Sequence, residues 1–142
     1  VESEGHQYHF GAVICFESSF GWLFRKFTNR GADFIAIMTN DGWYENSAGP
    51  FQHADLSIFR AIETGRYVLR CSNRGPSWII KPNGKIAKTT SLNERCILTG
   101  IIYPMKNKTI YAAIGDWMAL PYFILPMLAF YNHFKKRRKI KK

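Results

Sequence analysis

Acidic residues are the scarce class in this 142-residue chain. Ten Asp and Glu stand against twenty Lys and Arg, for a formal net charge of +10. Cysteine is nearly as sparse. Cys15, Cys71 and Cys96 are an odd number without CxxC spacing, which argues against a zinc site or a complete disulfide framework and leaves at least one thiol free. Neither a metal nor an organic cofactor is implied. The chain has no internal repeat, no low-complexity stretch outside its basic end, and no signal-peptide pattern before its first apolar run. Aromatic residues, by contrast, make up 15% of the chain and supply enough apolar area for one domain with a true core.

The excess positive charge is local. The last eight residues hold seven of the positive charges, leaving +3 for residues 1–134. A basic terminus can be a solvated tail, a nucleic-acid arm or a membrane flank. Its neighbour decides: Trp117 to Phe134 is eighteen residues without a formal charge, near the length a bilayer span needs (roughly 20). Trp117, Tyr122 and Tyr131 are the aromatic ends expected at membrane interfaces, and Pro121 and Pro126 are better tolerated in membrane helices than in soluble ones. A Pro-broken core helix is the alternative. The reading adopted is a membrane helix with no nucleic-acid partner, a cytoplasmic basic tail and the preceding residues on the other side. Because the chain opens on Val1, the expectation is the C-terminal piece of a longer, multi-pass membrane protein. Its parts would be a domain over 1–109, a transmembrane region over 110–134 and a basic tail over 135–142.

Along the first 109 residues the pattern is β-α-β-α-β-β-β-β. Strands are predicted at Ala12–Phe16, Phe34–Met38, Tyr67–Cys71, Ser77–Lys81, Lys85–Thr89 and Cys96–Ile102. Helices are predicted after Ser18 or Ser19, either of which can cap, and over Gln52–Thr64, ending at Gly65. Pro82-Asn83-Gly84-Lys85 marks a hairpin turn. Parallel-type units followed by antiparallel ones give an α/β fold with a mixed sheet.

Cys15 is the residue best placed for chemistry. A thiol at a strand-to-helix turn faces the positive end of a helix dipole, which favours the thiolate that attacks carbonyl carbon. A packing cysteine is the plainer alternative. Glu17 either orients a substrate or partner, or caps the turn; a carboxylate beside a thiol disfavours the thiolate, so it is a poor activator alone. Asn40 and Asp41 follow a strand's carboxyl end, where sites of open α/β sheets collect, and Asp41 reads chiefly as a loop-holding side chain. Trp43 and Tyr44 suit the wall of an acyl-chain pocket, or a core or interface role. His53 reads as a structural histidine before a base, and Glu63 can pair with Arg60 or Arg66.

Val13-Ile14-Cys15-Phe16-Glu17-Ser18, Asn29-Arg30-Gly31-Ala32-Asp33-Phe34, Thr39-Asn40-Asp41-Gly42-Trp43, Ser47-Ala48-Gly49-Pro50-Phe51-Gln52-His53 and Arg60-Ala61-Ile62-Glu63-Thr64-Gly65-Arg66-Tyr67-Val68 resemble, in order and spacing, the apolipoprotein N-acyltransferases of the nitrilase superfamily. Gly115-Asp116-Trp117 is similar too. The resemblance implies the C-terminal portion of a nitrilase-like α-β-β-α sandwich, followed by one transmembrane helix and facing outward from the bacterial inner membrane. It implies an acyltransferase that moves a fatty acyl chain from a phospholipid donor to the diacylglyceryl-modified N-terminal cysteine of an apolipoprotein, through a thioester. A nitrilase-type amidase or a non-catalytic membrane-tethered module are the alternatives. In the family a glutamate base, a lysine and a cysteine form the triad. Cys15 matches the nucleophile and Glu17 a supporting carboxylate, while Phe16, Trp43 and Tyr44 are candidate substrate-binding residues. Phe16 departs from the tyrosine usual at that position. The family's base and lysine have no match here: Glu2 and Glu4 lie too close to Cys15, and no lysine precedes it. The 142 residues alone are expected to be inactive.

Overall fold

A computed structural model describes residues 1–3, 5–45 and 47–140, with side chains as far as His133 apart from Ser3, Met118 and Asn132. Glu4, and Lys141 and Lys142 of the basic tail, lie outside the described residues. A small hairpin, β1 (Glu2–Ser3) with β2 (His6–Gln7), precedes a five-stranded sheet. That sheet has the order β3-β4-β5-β6-β7: Phe10–Ile14, Phe34–Thr39, Tyr67–Ser72, Trp78–Ile80 and Ile86–Thr89. The first three strands are parallel and the last two pairings antiparallel, so the sheet is mixed, as the sequence pattern predicts.

The parallel strands are joined through helices α1 (Gly21–Asn29) and α2 (Gly49–Thr64), which pack on one face of the sheet. Strand alternation sends Val13, Ile35, Ile37 and Val68 to that face. There they meet Phe24 of α1 and Ala54 and Ala61 of α2, while Trp78 and Ile80 extend the cluster under β6. Each fully buried Val, Ile or Phe contributes about 1.5–3 kcal/mol by leaving water, so this face is the principal source of stability. Gly11 lets α1 approach: a Cβ there would sit 2.6 Å from the Phe27 ring.

The sheet's other face is open. Ile14 is 62% and Met38 49% exposed, on the register rows that alternate with the buried ones. Leu98 and Ile102 partly cover this side, enclosing a cavity of about 620 Å³ with Met38, Cys71 and Ile79. The predicted strand Cys96–Ile102 does not form. Asn93 turns the chain at φ +56, and the segment crosses the sheet face by side-chain contact instead of pairing at an edge. Ile97 and Ile101 consequently point outward. Buried Arg66 secures the end of this strap by donating to the carbonyls of Ala32 (2.7 Å) and Asn107 (2.6 Å).

Other boundaries shift for identifiable reasons. Strand β3 ends at Ile14, two residues earlier than predicted, because Cys15 takes φ +49 and opens a five-residue 3-10 turn, Cys15–Ser19. α2 begins at Gly49, because Pro50 suits the first helical turn. Thr109 caps a short helix α3 (Ile110–Ile114), and Arg25 and Asn29 of α1 donate to the Ala112 and Ala113 carbonyls. A 3-10 turn then leads into α4 (Leu120–Ile140), which runs through Pro126. The stretch Ile110–Tyr131 is long and apolar enough to cross a membrane by length and composition.

Candidate functional site

Cys15 is half-buried at the carboxyl end of the edge strand β3. It does not sit at the mouth of α1. The 3-10 turn intervenes and α1 starts only at Gly21, beyond the single turn over which a helix dipole is felt. A non-glycine residue at positive φ is held there against its own preference, a feature found where surrounding contacts over-determine a functional segment.

The contacts are specific. Glu17 folds back so that its carboxylate accepts the Ile14 backbone N–H at 2.8 Å, which is the capping arrangement. Neither Ser18 nor Ser19 caps α1; the N-cap is Phe20, without a side-chain bond. Ser18 is committed elsewhere, its buried hydroxyl lying 3.0 Å from His53 Nε2. On its other side His53 Nδ1 is 2.8 Å from Asp41 Oδ1. The Asp41 carboxylate accepts from His53 Nδ1–H, and Nε2 shares a hydrogen bond with the Ser18 hydroxyl.

Asp41 is fully buried and far more than a loop-holder. Its Oδ2 accepts from Arg70 Nη2 and from Ser72 Oγ, each at 2.7 Å, and its own N–H donates to Asn73 Oδ1. Arg70 projects from β5 into the helix-covered face. Burial pulls its guanidinium below the ordinary value, opposed chiefly by Asp41 and next by Cys15. Its Nε and Nη1 find no hydrogen-bond partner, so the guanidinium is held mainly through the Asp41 contact. The expectation of a structural histidine at 53 fits this setting, but the chain Ser18–His53–Asp41–Arg70 was not foreseen as a unit. A lone arginine inside the apolar run Tyr67-Val68-Leu69-Arg70-Cys71 was its available sequence signal, since buried charge demands a partner.

Beside the turn lies an open cleft of about 280 Å³, lined by Phe16, Tyr44, Gln52, His53 and Leu56. Phe16 packs edge-on against Phe20 at 5.8 Å, and the Tyr44 ring tilts over His53 at 5.9 Å. Two of the three predicted substrate-binding residues, Phe16 and Tyr44, therefore line one cleft immediately after Cys15. Trp43, on the 3-10 turn Gly42–Tyr44, does not line it and is 83% exposed. Glu63 pairs with Arg60 at 2.9 Å, and Arg60 also donates to the Ser19 carbonyl, giving the turn a second tie to α2. Burial raises the Glu63 carboxyl above its usual range, and Arg60 only partly offsets it. Among the described residues no three His, Cys, Asp or Glu side chains converge as a metal site.

Known proteins resemble this chain in sequence and fold. The chain is 40% identical over 109 residues to the apolipoprotein N-acyltransferase of Methylococcus capsulatus, covering 77% of this chain and 21% of that protein. It is 31% identical over 144 aligned positions to apolipoprotein N-acyltransferase 1 of Treponema denticola, covering 97% of this chain and 26% of that protein. The chain thus spans about a fifth to a quarter of the length of these curated relatives. Among solved structures, Saccharomyces cerevisiae Nit3, a member of branch 10 of the nitrilase superfamily, superposes with a TM-score of 0.53 at 25% identity, covering 61% of this chain and 34% of Nit3. The fold is that of nitrilase-like proteins. The carbon-nitrogen hydrolase family model matches residues 2–106, and the chain belongs to that family.

Proposed function

We propose that the protein containing this chain is a membrane-bound N-acyltransferase of lipoprotein maturation, with Cys15 as its nucleophile. The observation that carries this reading is the position of Cys15: a thiol at positive φ at the carboxyl end of a sheet strand, next to an aromatic-lined cleft. The similarity to apolipoprotein N-acyltransferases supplies the reaction class.

In the first half-reaction the Cys15 thiolate attacks the ester carbonyl carbon of a phospholipid. The tetrahedral intermediate collapses with cleavage of the ester C–O bond, and the departing alkoxide takes a proton to leave as a lysophospholipid. A thioester remains on Cys15. In the second, the neutral α-amine of a diacylglyceryl-modified cysteine attacks the thioester carbonyl, the C–S bond breaks, and an amide forms as the amine gives up a proton. Phe16, Tyr44 and Leu56 offer an apolar wall for the start of the acyl chain, and Trp43 extends the same loop outward. Glu17 supports the turn by holding the Ile14 amide. The base and the oxyanion-stabilising lysine that the family uses would come from outside residues 1–142. The open face carrying Ile14 and Met38 leaves room for the second sheet of an α-β-β-α sandwich.

The proposed location is the bacterial inner membrane, with residues 1–109 on the periplasmic side, the span within 110–134 and the basic tail 135–142 cytoplasmic. Both lipid-anchored substrates then remain at the bilayer throughout. Incubating the full-length protein with phospholipid and digesting it for mass spectrometry tests the reading. An acyl thioester on the Cys15 peptide, lost in Cys15→Ala, is expected. Acyl release to water as fast as transfer to amine would favour an amidase instead, and absence of any adduct under turnover conditions would favour a binding module.

A further inference from the structure

We propose that His53 is a positioning residue for the acyl-transfer step: acting through Ser18, it clamps the Cys15–Ser19 turn and so holds the nucleophile in its working orientation. The inference rests on the acyl-transfer reading for its kinetic arm, but the clamp itself is a property of the geometry.

Three observations converge on it. First, Cys15 occupies a backbone region that L-residues with a Cβ disfavour, so the turn needs external restraint to persist. Secondly, the restraint is buried and directional. Ser18 Oγ, only 1% exposed as a residue, meets His53 Nε2 at 3.0 Å, and His53, 5% exposed, is oriented from behind by Asp41 at 2.8 Å. Thirdly, Asp41 is itself immobilised by Arg70 from β5, by Ser72 and by the Asn73 side chain. The turn is thereby referred to the rigid centre of the sheet and to α2.

The order Ser–His–Asp invites a different interpretation, a second nucleophile. Burial rules it out: Ser18 is only 1% exposed, so its hydroxyl has no path to substrate. A histidine that only filled space would not need both ring nitrogens engaged. Orientation of a reacting atom to within a fraction of an ångström is where such a clamp acts, and small misplacements cost up to about a hundredfold in rate.

The test uses the full-length protein and compares Ser18→Ala, His53→Leu, His53→Gln and the Ser18→Ala/His53→Leu double variant. The Gln carboxamide can accept from Ser18 and donate to Asp41, whereas Leu does neither. Expected for Ser18→Ala and His53→Leu is a fall in kcat of about ten- to a hundredfold with KM within about twofold. His53→Gln recovers much of the loss, and the double variant is no slower than the worse single one, since both cut the same link. A clamp-independent role predicts additive losses, equal movement of KM, or no rescue by Gln, and any of these overturns the proposal.

A second arm needs no acyl transfer. At a pH where all thiols are ionised, iodoacetamide labelling of Cys15 is followed by mass spectrometry against the exposed Cys71 and Cys96 as internal references. Freeing the turn raises Cys15 labelling at least threefold relative to the other two in Ser18→Ala. An unchanged ratio means the turn was not clamped, and the inference fails whatever the enzyme does. A wild-type protein that transfers no acyl chain, with the labelling ratio still responding to Ser18→Ala, sinks the acyl-transfer reading and, with it, the kinetic role of His53, while leaving the clamp.

Discussion

Asp33 and Asp41 are both wholly buried carboxylates, yet they are built for different purposes. Asp41 collects partners from β5, α2 and its own loop and, through His53, reaches the Cys15–Ser19 turn. Asp33 sits at the start of β4, where it accepts the His9 N–H at 2.9 Å and pairs with Lys106 at 2.8 Å. Burial pushes its pKa up, but the Lys106 and His9 hydrogen bonds, helped by their charges, bring it below the ordinary carboxylate value. A carboxyl with a lowered folded-state pKa contributes stability above its unfolded value (about 3.9), and that contribution disappears as pH falls through the folded pKa. Asp33→Asn should therefore flatten the acid side of the stability profile, measured as the urea midpoint at pH 5 and pH 3. An acid dependence equal to that of the parent would show that Asp33 carries none of it. Residue chemistry of this sort was only partly legible in advance. Cys15 and Glu17 are marked by their spacing, whereas the partner of His53 could be found only once strand and helix had been placed side by side.

At the scale of elements, α2 is the strut on which the site depends. Its first turn presents His53 to Ser18, its middle presents Arg60 to the Ser19 carbonyl, and its end accepts a hydrogen bond from Thr109 at the Glu63 carbonyl. Thr109 also caps α3 by accepting the Ala112 N–H. One side chain thus joins the helix tied to the Cys15–Ser19 turn to the foot of the apolar helical segment. Thr109→Ala removes an N-cap and the link to α2 together, and should lower stability by about 1–2 kcal/mol. Faster hydrogen exchange confined to α3 and the C-terminal turn of α2 is the expected signature. Uniform loss of protection across the sheet would argue against a local link. Helices α1 and α2 and the five strands of the main sheet follow from periodicity and from turn residues such as Gly65 and Gly84. The failed strand at Cys96–Ile102 is similarly rich in apolar residues, and local composition cannot tell pairing at a sheet edge from packing on a sheet face.

For the whole molecule, the division between a helix-covered and an open sheet face is decisive. The covered face holds the core and the Asp41 network, while the open face holds Ile14 and Met38 on the rows next to Cys15. On the proposed reading, the base and the oxyanion-stabilising lysine lie outside residues 1–142 and approach from that side. Loss of the donor alone removes roughly 3–4 kcal/mol of transition-state stabilisation, and loss of the base a further factor of about 10²–10⁴. Purified residues 1–142 in lipid vesicles should show no acyl transfer above the Cys15→Ala background. Turnover near that of a full-length relative would sink the two-part arrangement.

Sequence by itself determined the α/β class, the mixed sheet, the nucleophile candidate and the apolar segment with its basic flank, because each is written in local spacing and composition. Tertiary structure alone decided that Glu17 turns back on its own backbone, that Trp43 leaves the cleft while Phe16 and Tyr44 line it, and that Asp41, His53 and Ser18 form one chain of hydrogen bonds. The last of these depends on residues 12 and 35 positions apart meeting in a dry interior, where an unpaired polar group costs more than the chain can spare. Cys15 is legible as a candidate nucleophile from its neighbours in sequence; what holds its turn in place comes from its neighbours in space.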